Sequence, residues 1–481
     1  MAVFDKISAY GDDISVIDDD NLSYSYNRLC EDSKIFHQHL GNRKLVAFIA
    51  SNCYASIAGY VGCLRGGSVP LMLPSAIGKD ELSHIVSAYQ PDYIYAPLED
   101  AGRLELGVTR ARQGNYGIFK APDPSVESLH DDLALLLTTS GSTGSRSMVR
   151  LSARNITSNA AQIIEYLGVS ASDVTITTMP MSYSYGLSVI NTHLLQGATI
   201  VATEHPLMSR DFWNLMRDKS VTNLTGVPFI YDMLKKLRFH KMELPALRTM
   251  TQAGGKLSDE LVNYFFEACQ GFGADFFVMY GQTEATARIS YMPPEMLKNK
   301  PASIGIPVPN SQIWLENTDN PSVTDTNITC DSGELVFKGP NVSLGMAENR
   351  ADLAKGDENK GVLYTGDLVT RDADGFLYVT GRKKRFLKLF GNRVNLAEVE
   401  ELLNRDKMTV ACAGVDDKMR IFLEVNPTTD AASQIAALKH TIKSHTTIPP
   451  RAYKVVTIEK IPRSDSGKIS YHLLNTQFTA G

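Results

Sequence analysis

Short apolar runs alternate with amphipathic stretches up to about Ile304, and this alternation restricts the fold more than any other feature. LVAFIASN, from Leu45, reads as a buried strand, and YASIAGYVGCLRGG after it as a helix closed by a glycine pair. The rhythm returns in ALLLTTSGSTG, TITTMP, ATIVATEH, NLTGVP and FFVMYGQTE. Such alternation predicts parallel α/β layers. From Ile304 the pattern changes to short strands and turns (SIGIPVP, QIWLEN, GELVFKG, GVLYTGD), which predicts a β-rich subdomain over 304–383. A basic knot, GRKKRFLK, follows. Beyond it Asn395 stands three residues before Glu398 as a capping box, a helix over 432–445 stops before Pro449-Pro450, and YKVVTIEKIP reads as a strand. We place a boundary at Lys384, between a large domain over 1–383 and a small α+β unit over 385–481.

The 481 residues suffice for two or three domains. Lys plus Arg number 48 against 53 acidic residues, a balance that argues against a nucleic-acid partner, which needs a basic surplus. The six cysteines (Cys30, Cys53, Cys63, Cys269, Cys330, Cys412) are scattered without a C-x-x-C pair and read as apolar residues of a reducing compartment. The start, MAVFDKISAYGDD, lacks the basic and apolar regions of a signal peptide, and no run approaches the roughly 20 apolar residues of a membrane span. The expectation is a soluble, cytoplasmic protein without a membrane partner.

Four segments carry chemistry. Thr138 to Gly144 follows the strand LALLL with two glycines and five hydroxyl residues, a composition suited to a tight anion-binding loop. It is not a Walker A loop, since G-x-x-x-x-G-K is absent. Tyr280-Gly281-Gln282-Thr283-Glu284 follows the strand FFVM, where α/β sheets place ligands. Tyr364-Thr365-Gly366-Asp367 ends another strand, with Asp367 able to accept from paired sugar hydroxyls. Near the end, Pro462-Arg463-Ser464-Asp465-Ser466-Gly467-Lys468 sets a lysine behind a hydroxyl-rich loop. Singly, each also reads as an ordinary loop, turn aspartate or solvated lysine. His37-Gln38-His39 lacks further metal ligands and reads as a helix surface. H-E-x-x-H and G-x-S-x-G are both absent.

Together and in this order, these segments resemble the adenylate-forming (AMP-binding) superfamily of acyl-CoA synthetases, aryl and fatty-acid ligases, peptide-synthetase adenylation domains and luciferases. The resemblance runs from the SYSYNRL segment at Ser23 to the terminal SGKI. It implies a large multi-layer α/β domain with a β-rich subdomain and a small mobile α+β domain. It implies attack of a carboxylate on the α-phosphate of MgATP, pyrophosphate release, and acyl transfer to the thiol of CoA or of a carrier protein's phosphopantetheine. By the same resemblance Thr139, Ser140, Gly141, Ser142, Thr143 and Gly144 would cradle phosphates. Gly254, Gly255 and Lys256 would line the adenine pocket, with Tyr280 stacked on the base within the motif that includes Gly281 and Gln282. Thr283 would touch phosphate and Glu284 would hold Mg²⁺. Asp367 would bind the ribose, and Arg382 would reach ribose or phosphate. Lys468 would bridge the carboxylate and the α-phosphate. Lys384 occupies the hinge position, and Lys388 and Gly391 fall in the loop of the pantetheine tunnel.

One departure stands out. The family loop continues x-Pro-Lys-Gly, whereas this chain reads Ser145-Arg146-Ser147-Met148, so Ser147 replaces a phosphate-facing lysine, with Arg146 or Arg150 as possible substitutes. For the acid, amino-acid-activating relatives carry an aspartate where this chain has Ser184, and an unpaired ammonium is costly to bury. Tyr183, Tyr185, Val227, Phe229 and Ala253 suggest an apolar pocket with a few hydroxyls, suited to a hydroxy, aryl or short-to-medium acyl acid. The alternatives are a catalytically weakened nucleotide-binding or scaffold homologue and an amino-acid-adenylating ligase.

Overall fold

The computed structural model describes residues 3–41, 43–138, 147–316, 331–389, 392–405, 408–425, 430–446, 448–463, 469–471 and 473–474. Thr139 to Gly144, Arg146, Gly391 and Lys468 therefore lie outside the described residues, as do the side chains of Lys384 and Lys388. The chain divides into two compact units. The first holds residues 3–138, 147–312 and 337–363, and the second holds 313–316, 331–336 and the described residues from 364 onward.

Two large sheets build the first unit. One has nine strands in the order Ile306–Pro307, Ser290–Tyr291, Asp275–Tyr280, Thr249–Gln252, Asn223–Gly226, Val174–Ile176, Thr199–Val201, Ile14–Ile17 and Ser23–Ser25. It is parallel from Asp275–Tyr280 through Ile14–Ile17 and reverses at Ser290–Tyr291 and at Ser23–Ser25. The other has eight strands in the order Gly345–Ala347, Met148–Ser152, Leu133–Thr138, Val69–Pro74, Leu45–Ala50, Tyr93–Pro97, Tyr116–Lys120 and Thr109–Gln113. The predicted strand at Leu45 is buried along its whole length, as a strand covered on both faces must be. The helix after it, Tyr54–Arg65, is buried from Tyr54 to Leu64, so its all-apolar surface belongs between layers rather than against solvent. One buried cluster joins Phe48, Met72 and Leu135 of one sheet to Val16 and Ile200 of the other through helix residues such as Leu29, Tyr60 and Ile190. Serine side chains cap the helices Tyr26–Leu40, Ala153–Leu167, Arg210–Asp218 and Asp259–Phe272, each accepting from an orphan N–H of the first turn. Among the described residues no helix is long and apolar enough to cross a membrane.

Arg150 is fully buried in the Met148–Ser152 strand. Its guanidinium donates to the carbonyls of Leu344, Met346, Lys355 and Gly356 and to the Glu358 carboxylate. These bonds fasten the chain that follows the edge strand Gly345–Ala347. They leave Arg150 no part as a stand-in for the lysine that Ser147 replaces.

A four-stranded sheet, most of whose residues belong to the second unit, runs in the order Gln312–Glu316, Ser332–Lys338, Val362–Arg371, Leu377–Arg382. Past it lie the hairpin Phe386–Leu389/Asn392–Asn395 and a three-stranded sheet of Val410–Val415, Lys418–Glu424 and Tyr453–Ile458. The helices Leu396–Arg405 and Ala431–His445 bury Leu396, Val399, Leu403, Leu438 and Ile442 in the same cluster as Val410, Ile421 and Leu423. Asn395 heads the first of these helices. It accepts from the Ala397 N–H at 3.0 Å and donates to the Glu398 carboxylate at 3.0 Å and the Thr380 carbonyl at 3.1 Å.

Three cations of the basic knot are paired within this unit. Arg382 pairs with Asp367 at 2.7 Å, Lys383 with Glu334 at 2.8 Å, and Arg385 with Glu400 through two bonds of 2.7 and 2.9 Å. The Tyr471 ring packs on the Arg385 guanidinium at 3.9 Å while its hydroxyl donates to Glu400 at 3.0 Å.

Candidate active site

Four parallel strands of the nine-stranded sheet end side by side, and the chain beyond each end supplies the site. After Val174–Ile176 comes the turn to Tyr183 and the helix Ser184–Gln196, and after Asn223–Gly226 come Val227 and the helix Pro228–Lys236. After Thr249–Gln252 come Ala253 to Lys256, and after Asp275–Tyr280 comes the loop carrying Thr283 and Glu284.

The turn at Ala253 is held by the buried Gln252 side chain, whose amide donates to the carbonyls of Gly255 at 2.8 Å and Ala253 at 3.3 Å. Gly254 has φ +85°, and a Cβ there would lie 2.8 Å from the Tyr183 hydroxyl and 2.9 Å from Val227. Glycine is therefore required both by the backbone and by the close approach of Tyr183 and Val227. Gly255 and Lys256 are exposed, while Tyr280, Gln282, Thr283 and Glu284 are half-buried, so a ligand has access to them.

The 281–289 loop is tightly built. A Cβ on Gly281 would come 1.8 Å from the Ala287 carbonyl oxygen. Thr286 adopts φ 61° and Ala287 φ 147°, conformations a non-glycine residue holds only under constraint. The constraint is visible in Asn341, fully buried, whose amide donates to the carbonyls of Ala285 at 2.9 Å and Arg288 at 2.8 Å. The Thr286 hydroxyl returns a 2.6 Å bond to the Asn341 carbonyl. The Thr283 hydroxyl donates to that of Ser184 at 3.2 Å, and the Gln282 amide donates to the Tyr280 hydroxyl at 3.3 Å.

Tyr185, Val227 and Ala253 share a buried cluster with Met179, Phe277 and Met279, and Tyr183 packs against it. The Tyr185 hydroxyl is committed to Thr251, 2.9 Å from its carbonyl and 2.8 Å from its Oγ1, and burial pushes its ionisation up to about 12. Tyr185 thus offers a ring rather than a hydroxyl. Phe229 is not brought into the cluster: it is 55% exposed at the start of the helix Pro228–Lys236. Asp367 and Arg382 lie in the second unit, register partners across the Val362–Arg371/Leu377–Arg382 pair. Among the described residues no group of three or more His, Cys, Asp or Glu is placed to hold a metal.

Sequence reasoning missed Arg288. It is 2% exposed, with its guanidinium 4.1 Å above the Tyr185 ring and Nε donating to the Met279 sulfur at 3.4 Å. Its position four residues after Glu284 was the available signal, on a loop too short to leave the site.

The AMP-binding enzyme family model matches residues 3–346. The chain is an AMP-binding enzyme. This enzyme is 27% identical over 422 residues to the oxalate–CoA ligase of Arabidopsis thaliana, covering 85% of this chain and 79% of that one. It is 25% identical over 504 residues to the medium-chain fatty-acid–CoA ligase of Escherichia coli, covering 97% and 88%. In fold it is similar to the O-succinylbenzoate coenzyme A synthetase from Bacillus subtilis in complex with AMP, with TM-score 0.79, 22% identity and 98% of both chains covered.

Proposed function

We propose that this AMP-binding enzyme activates a small carboxylic acid with ATP to an acyl-adenylate, releasing pyrophosphate, and passes the acyl group to CoA. The observation that carries the reading is the convergence of Ala253–Lys256, Tyr280–Glu284 and Ser184 at adjoining carboxyl ends of one parallel sheet, where α/β sheets bind nucleotides. Support comes from the family match over residues 3–346 and from relatives named as CoA ligases. A carrier-protein pantetheine is the second acceptor to test, because tyrocidine synthase 3 of Brevibacillus parabrevis is also similar, 26% identical over 461 residues. The five described cysteines are free, which supports a reducing cytoplasmic setting.

The residues divide the work by chemistry. The half-buried Tyr280 ring and the backbone turn at Gly254 and Gly255 suit a flat base, and the Thr283 hydroxyl suits a phosphate oxygen. Glu284, a lone carboxylate beside that hydroxyl, fits Mg²⁺, which takes one or two carboxylates and fills its shell with phosphate and water oxygens. When bound, Mg²⁺ neutralises charge on the phosphates. Asp367, held by Arg382, is assigned the ribose hydroxyls. Ser184, accepting from Thr283, sits where the acid and phosphate ends meet. Lys468 is assigned the carboxylate–phosphate bridge, Lys384 the hinge, and Lys388 and Gly391 the thiol path. The experiment is pyrophosphate release with MgATP and a panel of acids, with and without CoA or a holo carrier protein. Lys468→Ala should lose roughly a thousandfold in adenylation rate with ATP affinity little changed. Near-normal release by that variant would remove the assignment.

A further inference from the structure

Arg288 is a buried cation that the adenylation chemistry does not use. Its residue is 2% exposed, and among the described residues no carboxylate lies within ion-pair distance of its guanidinium. Its contacts are neutral. The Tyr185 ring lies beneath it, the Met279 sulfur accepts from Nε, the Ala287 carbonyl stands 3.4 Å from Nη1, and the half-buried Tyr166 side chain adjoins it. None of these partners carries a charge, so among the described residues the guanidinium has hydrogen-bond partners and a ring face but no anion. Burying a charge without an anion is costly, and proteins retain such a charge where something compensates it.

The surroundings indicate what compensates it. Tyr185 and Met279, the two groups against the guanidinium, both belong to the cluster that includes Val227 and Ala253 and is packed by Tyr183. The loop that holds Arg288 also holds Thr283 and Glu284, and Asn341 clamps the Arg288 carbonyl. The cation is therefore fixed beside the acid pocket and on the same loop as the phosphate-facing residues. Ser184 adds no opposing charge on the other side.

We propose that Arg288 is a specificity-determining residue that pairs with a second carboxylate on the substrate, so that the preferred acids are dicarboxylic. One carboxylate is adenylated and the other neutralises Arg288, with a bidentate geometry that guanidinium matches and ammonium does not. The pairing rests on the acid-activating reading above.

The test compares pyrophosphate release from MgATP with matched acids. Succinic, glutaric, adipic and phthalic acids are set against butyric, pentanoic, hexanoic and benzoic acids. The expected result is that at least one diacid exceeds its monoacid partner by about 100-fold in kcat/KM, the scale of a buried charge pair. Arg288→Leu should collapse that ratio towards unity, whereas a merely structural arginine would lower both acids alike. Arg288→Lys should restore part of the ratio, and thermal unfolding of each variant reports whether it folds. Should both variants fail to fold, thermal stabilisation of the wild-type enzyme by the free diacids over the monoacids decides the matter. A wild-type preference for the monoacids, or a ratio unchanged in folded Arg288→Leu, would overturn the role of Arg288 while leaving acid activation intact. Pyrophosphate release with no acid of either series would overturn both.

Discussion

The Thr283 hydroxyl donates to the Ser184 hydroxyl at 3.2 Å, joining two segments 99 positions apart in the chain. One follows the strand Asp275–Tyr280 and the other opens the helix Ser184–Gln196. On the proposed reading this bond ties the phosphate-facing end of the site to its acid-facing end, and it would set a neutral oxygen where an α-ammonium needs an anion. Free α-amino acids should therefore be activated poorly relative to their hydroxy or desamino analogues. Matched pairs assayed by hydroxamate formation check this, and a clear preference for the amino form would refute it.

Gly281→Ala should displace the site loop, because the added Cβ meets the Ala287 carbonyl at 1.8 Å. A clash with backbone has no flexible side chain to absorb it, so the cost is roughly 1–3 kcal/mol or more. The control is Gly271→Ala, where nothing lies within 4 Å and the helix Asp259–Phe272 should gain rather than lose stability. Thermal melts and pyrophosphate release of the two variants should diverge.

Asn341→Ala should leave the Ala285 and Arg288 carbonyls without their donor. Each orphaned buried group costs roughly 1–3 kcal/mol, so denaturant titration should show a loss of about 3 kcal/mol. Activity should fall further than stability alone explains, since the same loop carries Thr283 and Glu284.

His193 sets a pH limit on stability. Its Nδ1–H donates to the Val189 carbonyl at 2.8 Å, and its Nε2 accepts from the Asn223 amide at 3.3 Å, so the ring is buried neutral. Burial holds its pKa below the ordinary 6.5. Below about that pH the unfolded chain takes up a proton that the folded one resists, so this contribution is present above 6.5 and is lost as pH falls. Melting temperature followed from pH 7.5 to 5.5 should drop less in His193→Gln than in the wild-type enzyme, once the offset at pH 7.5 is removed.

Because Arg150 is consumed by four carbonyls and Glu358, Arg150→Met should lower stability by about 3 kcal/mol without changing the ATP Michaelis constant of the folded enzyme. Ser147→Lys should lower that constant if a missing cation limits phosphate handling. Steady-state kinetics on both variants check the pair of statements.

Local signals were legible in the chain and distant partnerships were not. The Leu45 strand, the Tyr54 helix and the Asn395 start appear where apolar runs, glycines and capping residues mark them, since each is decided within one or two turns of chain. Arg150 offered no such signal, because its partners lie 194 to 208 positions away. Phe229 was misleading for a related reason: residue type argues for burial, but its place on the first turn of the helix Pro228–Lys236 faces it outward. The charge of the basic knot could be counted from the sequence, whereas its pairing with Asp367, Glu334 and Glu400 required the sheet register and the packing of the small helix.

The strand Ser290–Tyr291 runs antiparallel to Asp275–Tyr280, with Tyr280 opposite Ser290, so the loop between them leaves and re-enters the sheet at one place. A parallel return would have needed a crossover helix and a free-swinging connection. Here the five steps of chain from Thr283 to Arg288 span at most about 18 Å even if fully drawn out, and the Gly281–Ala287 contact holds them well short of that. On the proposed reading the loop is therefore a gauge of fixed length between Thr283, assigned to phosphate, and the buried cation. Selection among acids of different chain lengths would then be a question of fit to that gauge, settled by a fixed span of backbone.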